Sequence, residues 1–169
     1  NATNANGSTY KGSSVAGDIL NINNALTSQD ASSITGIEMI NVNANTTFTG
    51  DLTGVTNLTI ASGKTLNVDA SAVSSDTTTI ANAGTLAINN TNGATLSGLT
   101  MTGAGALQIN GTSSSDTITL NATMTSYTGT ITIDGGAGDD ILVGSTKNDT
   151  IVGGTGNDTL TGGAGTDRL

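Results

Sequence analysis

Among its 169 residues the sequence has no cysteine, histidine, proline or tryptophan, and only one phenylalanine and two tyrosines. Without cysteine there is neither a disulfide nor a thiolate metal site. Without histidine or cysteine the commonest general bases and nucleophiles are missing, and nothing marks an activating base for the abundant serines and threonines. A two-carboxylate hydrolase would need its acids gathered beside an aromatic-lined cleft, whereas those outside the C-terminal stretch are scattered; no enzymatic activity is expected of this segment. The scarcity of bulky side chains argues against an ordinary globular core. No apolar run approaches the roughly 20 residues of a membrane span, so membrane insertion is not expected. Lys11, Lys64 and Arg168 form no basic patch, which leaves nucleic acid without a footprint. The chain opens NATNANGSTY, with neither Met nor a leader, and is read as an internal piece of a longer protein.

What the sequence does contain is threonine, about a fifth of the chain, with 24 glycines and much Asn, Ser and Ala. Thirteen acids against four bases give a net charge of −9, and six of the acids fall between Asp134 and Asp167 beside glycines. Short carboxylates clustered among glycines point to a cation as partner.

Aliphatic residues recur at a long period. Stepping by twenty gives Leu20, Ile40, Ile60, Ile80, then Leu99 and Met101, then Leu120. A second file runs Phe48, Val68, Ile88 and Ile109, and a third Leu66, Leu86 and Leu107. Each lies in a short alternating segment such as EMINV, NLTI, TLNV, TLAI, LQI, TITL or TITI, separated by Gly, Asn and Ser. Alternation with β-branched residues means strand, and the separators mean turns. Two short strands per twenty residues, repeated in register, predict an all-β parallel solenoid in which each coil sends a few aliphatics inward. Thr and Asn at outward positions suit exposed pleats and side-chain ladders. The expected organisation is a Thr/Asn/Gly-rich solenoid over 1–110, with a possible inserted loop or helix at 23–36, running into a differently built region at 111–169.

That last region has a nine-residue period: GGAGDDILV, GSTKNDTIV, GGTGNDTLT, GGAGTDRL from residue 135 to the end, with an outlying copy GTSSSDTIT at 111–119. The unit G-G-x-G-x-D-x-U-x, U being a large aliphatic, resembles the calcium-binding nonapeptide of the RTX β-roll family. Glycines reach backbone angles closed to other residues, and so turn several carbonyls toward one point, where the Asp carboxylate joins them. Calcium, which takes six to eight oxygens at about 2.3–2.6 Å, suits such a donor set better than magnesium or a transition metal. The x-U-x tripeptide is a short strand whose middle residue (Leu142, Ile151, Leu160, Leu169, and Ile118 upstream) points inward. Two nine-residue units make a coil of eighteen, close to the twenty upstream, so strands can continue while the turn chemistry changes.

The resemblance implies a right-handed coil in which each ion sits between turns stacked eighteen residues apart. It would take the carbonyls at positions 2 and 4 and the Asp of one turn, with the carbonyls at positions 1 and 3 and the Asp of the next. Carried onto this chain, one site would use Gly136, Gly138 and Asp140 with Gly153, Thr155 and Asp158. The opposite edge would use Ser145, Lys147 and Asp149 with Gly162, Ala164 and Asp167. There the serine and lysine replace glycines, at a cost of about 1 kcal/mol for a non-glycine at that angle, and the ammonium opposes a cation; this site is expected to be weaker or empty. A third would set Thr112, Ser114 and Asp116 against Gly135, Ala137 and Asp140, if 121–129 bulges as a longer turn to make a coil of 24 residues. Asp134 and Asp139 are read as solvated, and Asp18, Asp51, Asp69 and Asp76 as turn residues capping their own backbone.

Folding of such an end is expected to be linked to calcium, because the site does not exist in the unfolded chain. In the family this lets type I secretion pass an unfolded chain that folds outside the cell. A Thr/Asn/Ala/Gly-rich solenoid running into degenerate repeats is similar to the surface-layer proteins of Gram-negative bacteria exported in this way. That resemblance implies a secreted, cell-surface structural segment with lateral surfaces for self-association into an array, or for contact with the rest of the same protein. The repeat region of a large adhesin, or of a secreted enzyme or toxin with its catalytic domain elsewhere, is the alternative.

Overall fold

The computed structural model describes residues 10–13, 17–30, 34–50, 52, 54–73, 78–89, 96, 99–120 and 123–169. Its alternating segments are strands because each places every second, β-branched or aliphatic side chain on one side and a Thr or Asn on the other. In chain order they are β1 (Tyr10–Lys11), β2 (Ile19–Ile22), β3 (Leu26–Asp30), β4 (Ile34–Thr35), β5 (Met39–Val42), β6 (Thr46–Thr49), β7 (Asn57–Ile60) and β8 (Thr65–Asp69). A 3-10 turn at Ala70–Ala72 precedes β9 (Thr79–Asn82), β10 (Thr85–Asn89), β11 (Thr100–Gly103), β12 (Ala106–Asn110) and β13 (Thr117–Thr119). The last five are β14 (Thr123–Tyr127), β15 (Ile131–Ala137), β16 (Ile141–Val143), β17 (Asp149–Thr155) and β18 (Thr159–Thr161).

Strands adjacent in sequence lie in different sheets. One six-stranded sheet runs β2-β5-β7-β9-β11-β14, and a seven-stranded sheet runs β3-β6-β8-β10-β12-β15-β17. A third side carries the pair β1-β4 near the N-terminus and the sheet β13-β16-β18 near the C-terminus. Between them it is filled by Leu52, whose N–H donates to the Ala72 carbonyl, and by Leu96, whose N–H donates to that of Thr119. Parallel pairing through connections of only a few residues is possible because the partner strand belongs to the next coil. This is a parallel β-solenoid, and its longest sheet takes strands from both sides of residue 110.

The inward residues stack in files. Phe48, Val68, Ile88, Ile109, Ile133 and Ile151 lie in register across the seven-stranded sheet, as do Leu66, Leu86, Leu107 and Ile131. All are at most 2% exposed and belong to one apolar cluster; each fully buried side chain is worth about 1.5–3 kcal/mol. The six-stranded sheet corrects the twenty-residue step: its file is Leu20, Ile40, Leu58, Ile80 and Met101, and Ile60 aligns with Val42 instead. Both aliphatics of NLTI point inward, so the period of two leaves open which of them continues a given file. Leu120 lies outside that sheet, its N–H donating to the Val143 carbonyl on the third side.

Two other expectations change. The described part of 23–36 contains strands β3 and β4, not an inserted loop or helix. The described part of 121–129 is not simply a longer turn: Thr123–Tyr127 is the last strand of the six-stranded sheet, pairing with β11 across a register shift. The coil there is nevertheless 24 residues long, Ile118 pairing with Leu142, and the next shortens to eighteen, Leu142 pairing with Leu160. The difference is the loss of the strand on the six-stranded side. Leu160 is only partly buried and Leu169 is 63% exposed, although the nonapeptide pattern places both inward.

Polar side chains reinforce the stacking. Asn41 donates to the Asn21 side chain (2.8 Å), Asn43 to Asn23 (3.0 Å) and Asn110 to Asn89 (2.8 Å). Asn82, fully buried at an inward position, donates to the Ala106 carbonyl and accepts from the Gly84 N–H. Tyr127, 1% exposed, donates its hydroxyl to the Gly105 carbonyl at 2.5 Å, and burial pushes its pKa up to about 12. Tyr127→Phe keeps the ring and loses that donor. It is expected to lower the unfolding free energy by about 1 kcal/mol, read as a lower denaturant midpoint at unchanged slope.

Candidate metal centre

From β12 onward the turns leaving the seven-stranded sheet stack on one edge of the solenoid: 111–116, 135–140 and 153–158. The turns entering it, 144–149 and 162–167, stack on the other edge. Register is carried into the turns themselves, with Asn110 opposite Asp134, Gly136 opposite Gly154 and Ala137 opposite Thr155. All three sets of residues marked by the nonapeptide pattern are therefore brought together in pairs of turns. Gly136, Gly138 and Asp140 face Gly153, Thr155 and Asp158; Ser145, Lys147 and Asp149 face Gly162, Ala164 and Asp167; Thr112, Ser114 and Asp116 face Gly135, Ala137 and Asp140.

The glycines are required twice over. Gly136 and Gly138 have φ of +96° and +119°, a region that L side chains rarely adopt. The stacking also leaves no room for a side chain: a Cβ at Gly154 would collide with the Gly136 carbonyl oxygen, and one at Gly156 with that of Gly138. Those collisions show that the position-2 and position-4 carbonyls of one turn run forward onto the next. The carbonyls of Thr112, Ser145 and Lys147 do the same against Gly136, Gly163 and Gly165, so carbonyl direction does not separate the turns.

The carboxylates do. They form an axial ladder in which one oxygen accepts the backbone N–H of the equivalent Asp one coil earlier: Asp140 Oδ1 from Asp116 (2.7 Å), Asp158 Oδ1 from Asp140 (2.9 Å) and Asp167 Oδ1 from Asp149 (3.0 Å). Asp140 is 1% exposed, and among the described residues its Oδ2 has no hydrogen-bond donor. The Gly136 N–H, which could have served, donates to Asp134 Oδ1 instead (3.1 Å), and the Gly138 N–H to the Thr155 carbonyl (2.8 Å). A buried carboxylate oxygen without a donor is costly unless a cation meets it. The residues Gly136, Gly138, Asp140, Gly153, Thr155 and Asp158 thus fit calcium, with carbonyls supplying most of the donors. Consistent with a carbonyl-rich site, no group of three or more Asp, Glu, His or Cys side chains suited to a metal gathers among the described residues.

The other two sets differ in the Asp of their first turn, although the Thr112 set shares Asp140 and its bare oxygen. Asp116 Oδ2 accepts the N–H of Thr112 (2.5 Å) and its Oδ1 the Thr112 hydroxyl (3.2 Å). Asp149 Oδ2 accepts the N–H of Ser145 (2.6 Å), and the Ser145 hydroxyl lies 3.1 Å from both carboxylate oxygens. Burial raises the Asp149 pKa, the Ser145 N–H and hydroxyl holding it back and the Asp167 charge adding to the rise. The Lys147 turn lies against Thr128 and Gly129, beside the end of the six-stranded sheet.

Asp134 and Asp139 are exposed but not merely solvated: besides Asp134 holding the Gly136 N–H, Asp139 Oδ1 accepts from the Asn157 N–H (2.8 Å). Asp18 caps its own turn through the N–H (2.5 Å) and hydroxyl (2.7 Å) of Ser13, and the serine hydroxyl chiefly holds its pKa down. Asp69 ends β8, half-buried; Asp51 and Asp76 lie outside the described residues. Sequence reasoning passed over Glu38, whose Oε2 accepts the Asp18 N–H at 2.9 Å in the same axial pattern. The twenty-residue spacing from Asp18 was the available signal.

Residues 132–169 match the family model of the RTX calcium-binding nonapeptide repeat, in four copies. No curated protein and no solved structure matches the chain. The matched segment begins beyond the 111–119 copy, which joins the repeats through stacking. Gly136→Ala, placing a Cβ at positive φ against the Thr112 carbonyl, is expected to cost about 1–3 kcal/mol. Chemical denaturation of the variant beside the parent checks it.

Proposed function

Residues 132–169 being a calcium-binding RTX repeat region, we propose that the chain is a calcium-stabilised structural segment of a secreted cell-surface protein of the surface-layer kind. Its repeat end completes folding outside the cell when calcium binds, and its long sheets serve as lateral assembly surfaces. The observation that carries the reading is the buried, donorless Asp140 Oδ2, set between glycine turns at the end of a solenoid with one continuous apolar core. Taking calcium there removes the cost of the bare carboxylate and ties two coils together, so binding free energy becomes folding free energy. Extracellular calcium modules work at about 10⁻⁴–10⁻³ M, a range that keeps the repeats unfolded in a low-calcium cytosol. The absence of histidine and cysteine supports a structural rather than a catalytic role. The outward Asn and Thr rows favour contacts through flat, hydrogen-bonding faces. No helix among the described residues is long and apolar enough to cross a membrane.

Calcium titration followed by circular dichroism and light scattering tests this. β-Structure is expected to rise between about 0.1 and 1 mM calcium, to reverse with chelator, and to be followed by large ordered particles. Folding without assembly would favour a spacer in an adhesin, and no response to calcium would overturn the reading.

A further inference from the structure

The hydroxyl-bearing turns share one arrangement at three separate places. In Ser13/Asp18, Thr112/Asp116 and Ser145/Asp149 the residue after a glycine gives both its N–H and its hydroxyl to the Asp that closes the turn. In each case the N–H of that Asp is then accepted by an acid one coil later: Glu38, Asp140 or Asp167. The hydroxyl does further work in the nonapeptide copies, accepting the N–H two residues on, from Ser114 (3.2 Å) and Lys147 (3.0 Å). A glycine at that position has no hydroxyl to give, and in the 135–140 turn its N–H goes to Asp134, leaving Asp140 Oδ2 bare.

We propose that the glycine–hydroxyl turns are metal-free starter turns: each opens a stack of carboxylates by satisfying its own Asp internally, and calcium enters only between the turns 135–140 and 153–158. The inference rests on the calcium reading above and departs from the family pattern, which would place ions at the Ser145 and Thr112 sets too. Two charge-assisted donors already meet Asp116 and Asp149, so a cation relieves less there than at Asp140, whose Oδ2 has none. The second turn also has a lysine, Lys147, at a position where the nonapeptide has glycine. The consequence is a built-in order: the starter turns and the apolar coils behind them need no calcium, and present the next acid with an N–H already in place.

The test uses the whole chain, with thermal midpoints measured in excess calcium and in chelator, and calcium stoichiometry by titration calorimetry. Asp140→Asn is expected to abolish the calcium-dependent rise in midpoint. Asp149→Asn and the milder Ser145→Ala should lower the midpoint equally in both conditions, Ser145→Ala by about 2–4 °C, with stoichiometry unchanged. A lower stoichiometry, or loss of part of the calcium-dependent rise, in Asp149→Asn would make Asp149 a ligand and overturn the proposal. If the unaltered chain shows no calcium-dependent rise, the proposed function fails, and the starter turn is judged separately by whether Ser145→Ala lowers the midpoint in chelator.

Discussion

Parallel stacking in register places every side chain over its equivalent one coil earlier, about 4.8 Å away. For aliphatic residues this is free of conflict, and files such as Phe48 to Ile151 follow from it. For asparagine it is favourable, since an amide carries both donor and acceptor and can hand a hydrogen bond along the axis. For aspartate it is adverse: two carboxylates at that spacing repel by about 3 kcal/mol at an effective dielectric constant near 20. The C-terminal coils can be understood as the ways this chain meets that repulsion. Asp140, Asp158 and Asp167 are offset so that one oxygen takes a backbone N–H from the coil before. Asp116 and Asp149, which open their stacks, instead receive the N–H and hydroxyl of their own turn, and Asp140 Oδ2 is left for a cation.

The two parts of the chain are consequently held by different forces. Up to about residue 110 the coils depend on aliphatic files and amide ladders, which respond little to ions. Beyond it the turns carry the charge, and a fully glycine-framed turn such as 135–140 offers its buried Asp no internal partner. What looks like a change of fold in the sequence is a change in what fills the corners, while the seven-stranded sheet passes through unaltered.

Much of this was legible because stacking repeats itself in the sequence. The Phe48 and Leu66 files were readable since only one aliphatic pattern fits their strands, and the nonapeptide turns because glycine, glycine and aspartate recur at fixed places. The Ile60 slip was not readable: Leu58 and Ile60 are equally apolar, and the deciding factor is a coil two residues shorter. Strand β14 was hidden because TMTSY carries one aliphatic and one tyrosine, and tyrosine earns its buried place through a hydrogen bond to Gly105 that no local pattern announces. The serine and threonine caps looked like imperfect glycines, and their role appears only once the Asp lies within reach.

The shortening of the coil from 24 to eighteen residues also has a geometric outcome. Six strands at about 4.8 Å make a face some 24 Å long, and seven make one about 29 Å long. The six-stranded face stops a rung early at β14, with the 146–148 turn lying beside its end. The two broad sides of the rod are therefore unequal, and the shorter one ends in a ledge. A surface laid along it cannot slide freely past that point, so the loss of one strand gives an otherwise translationally repetitive shaft a fixed stop.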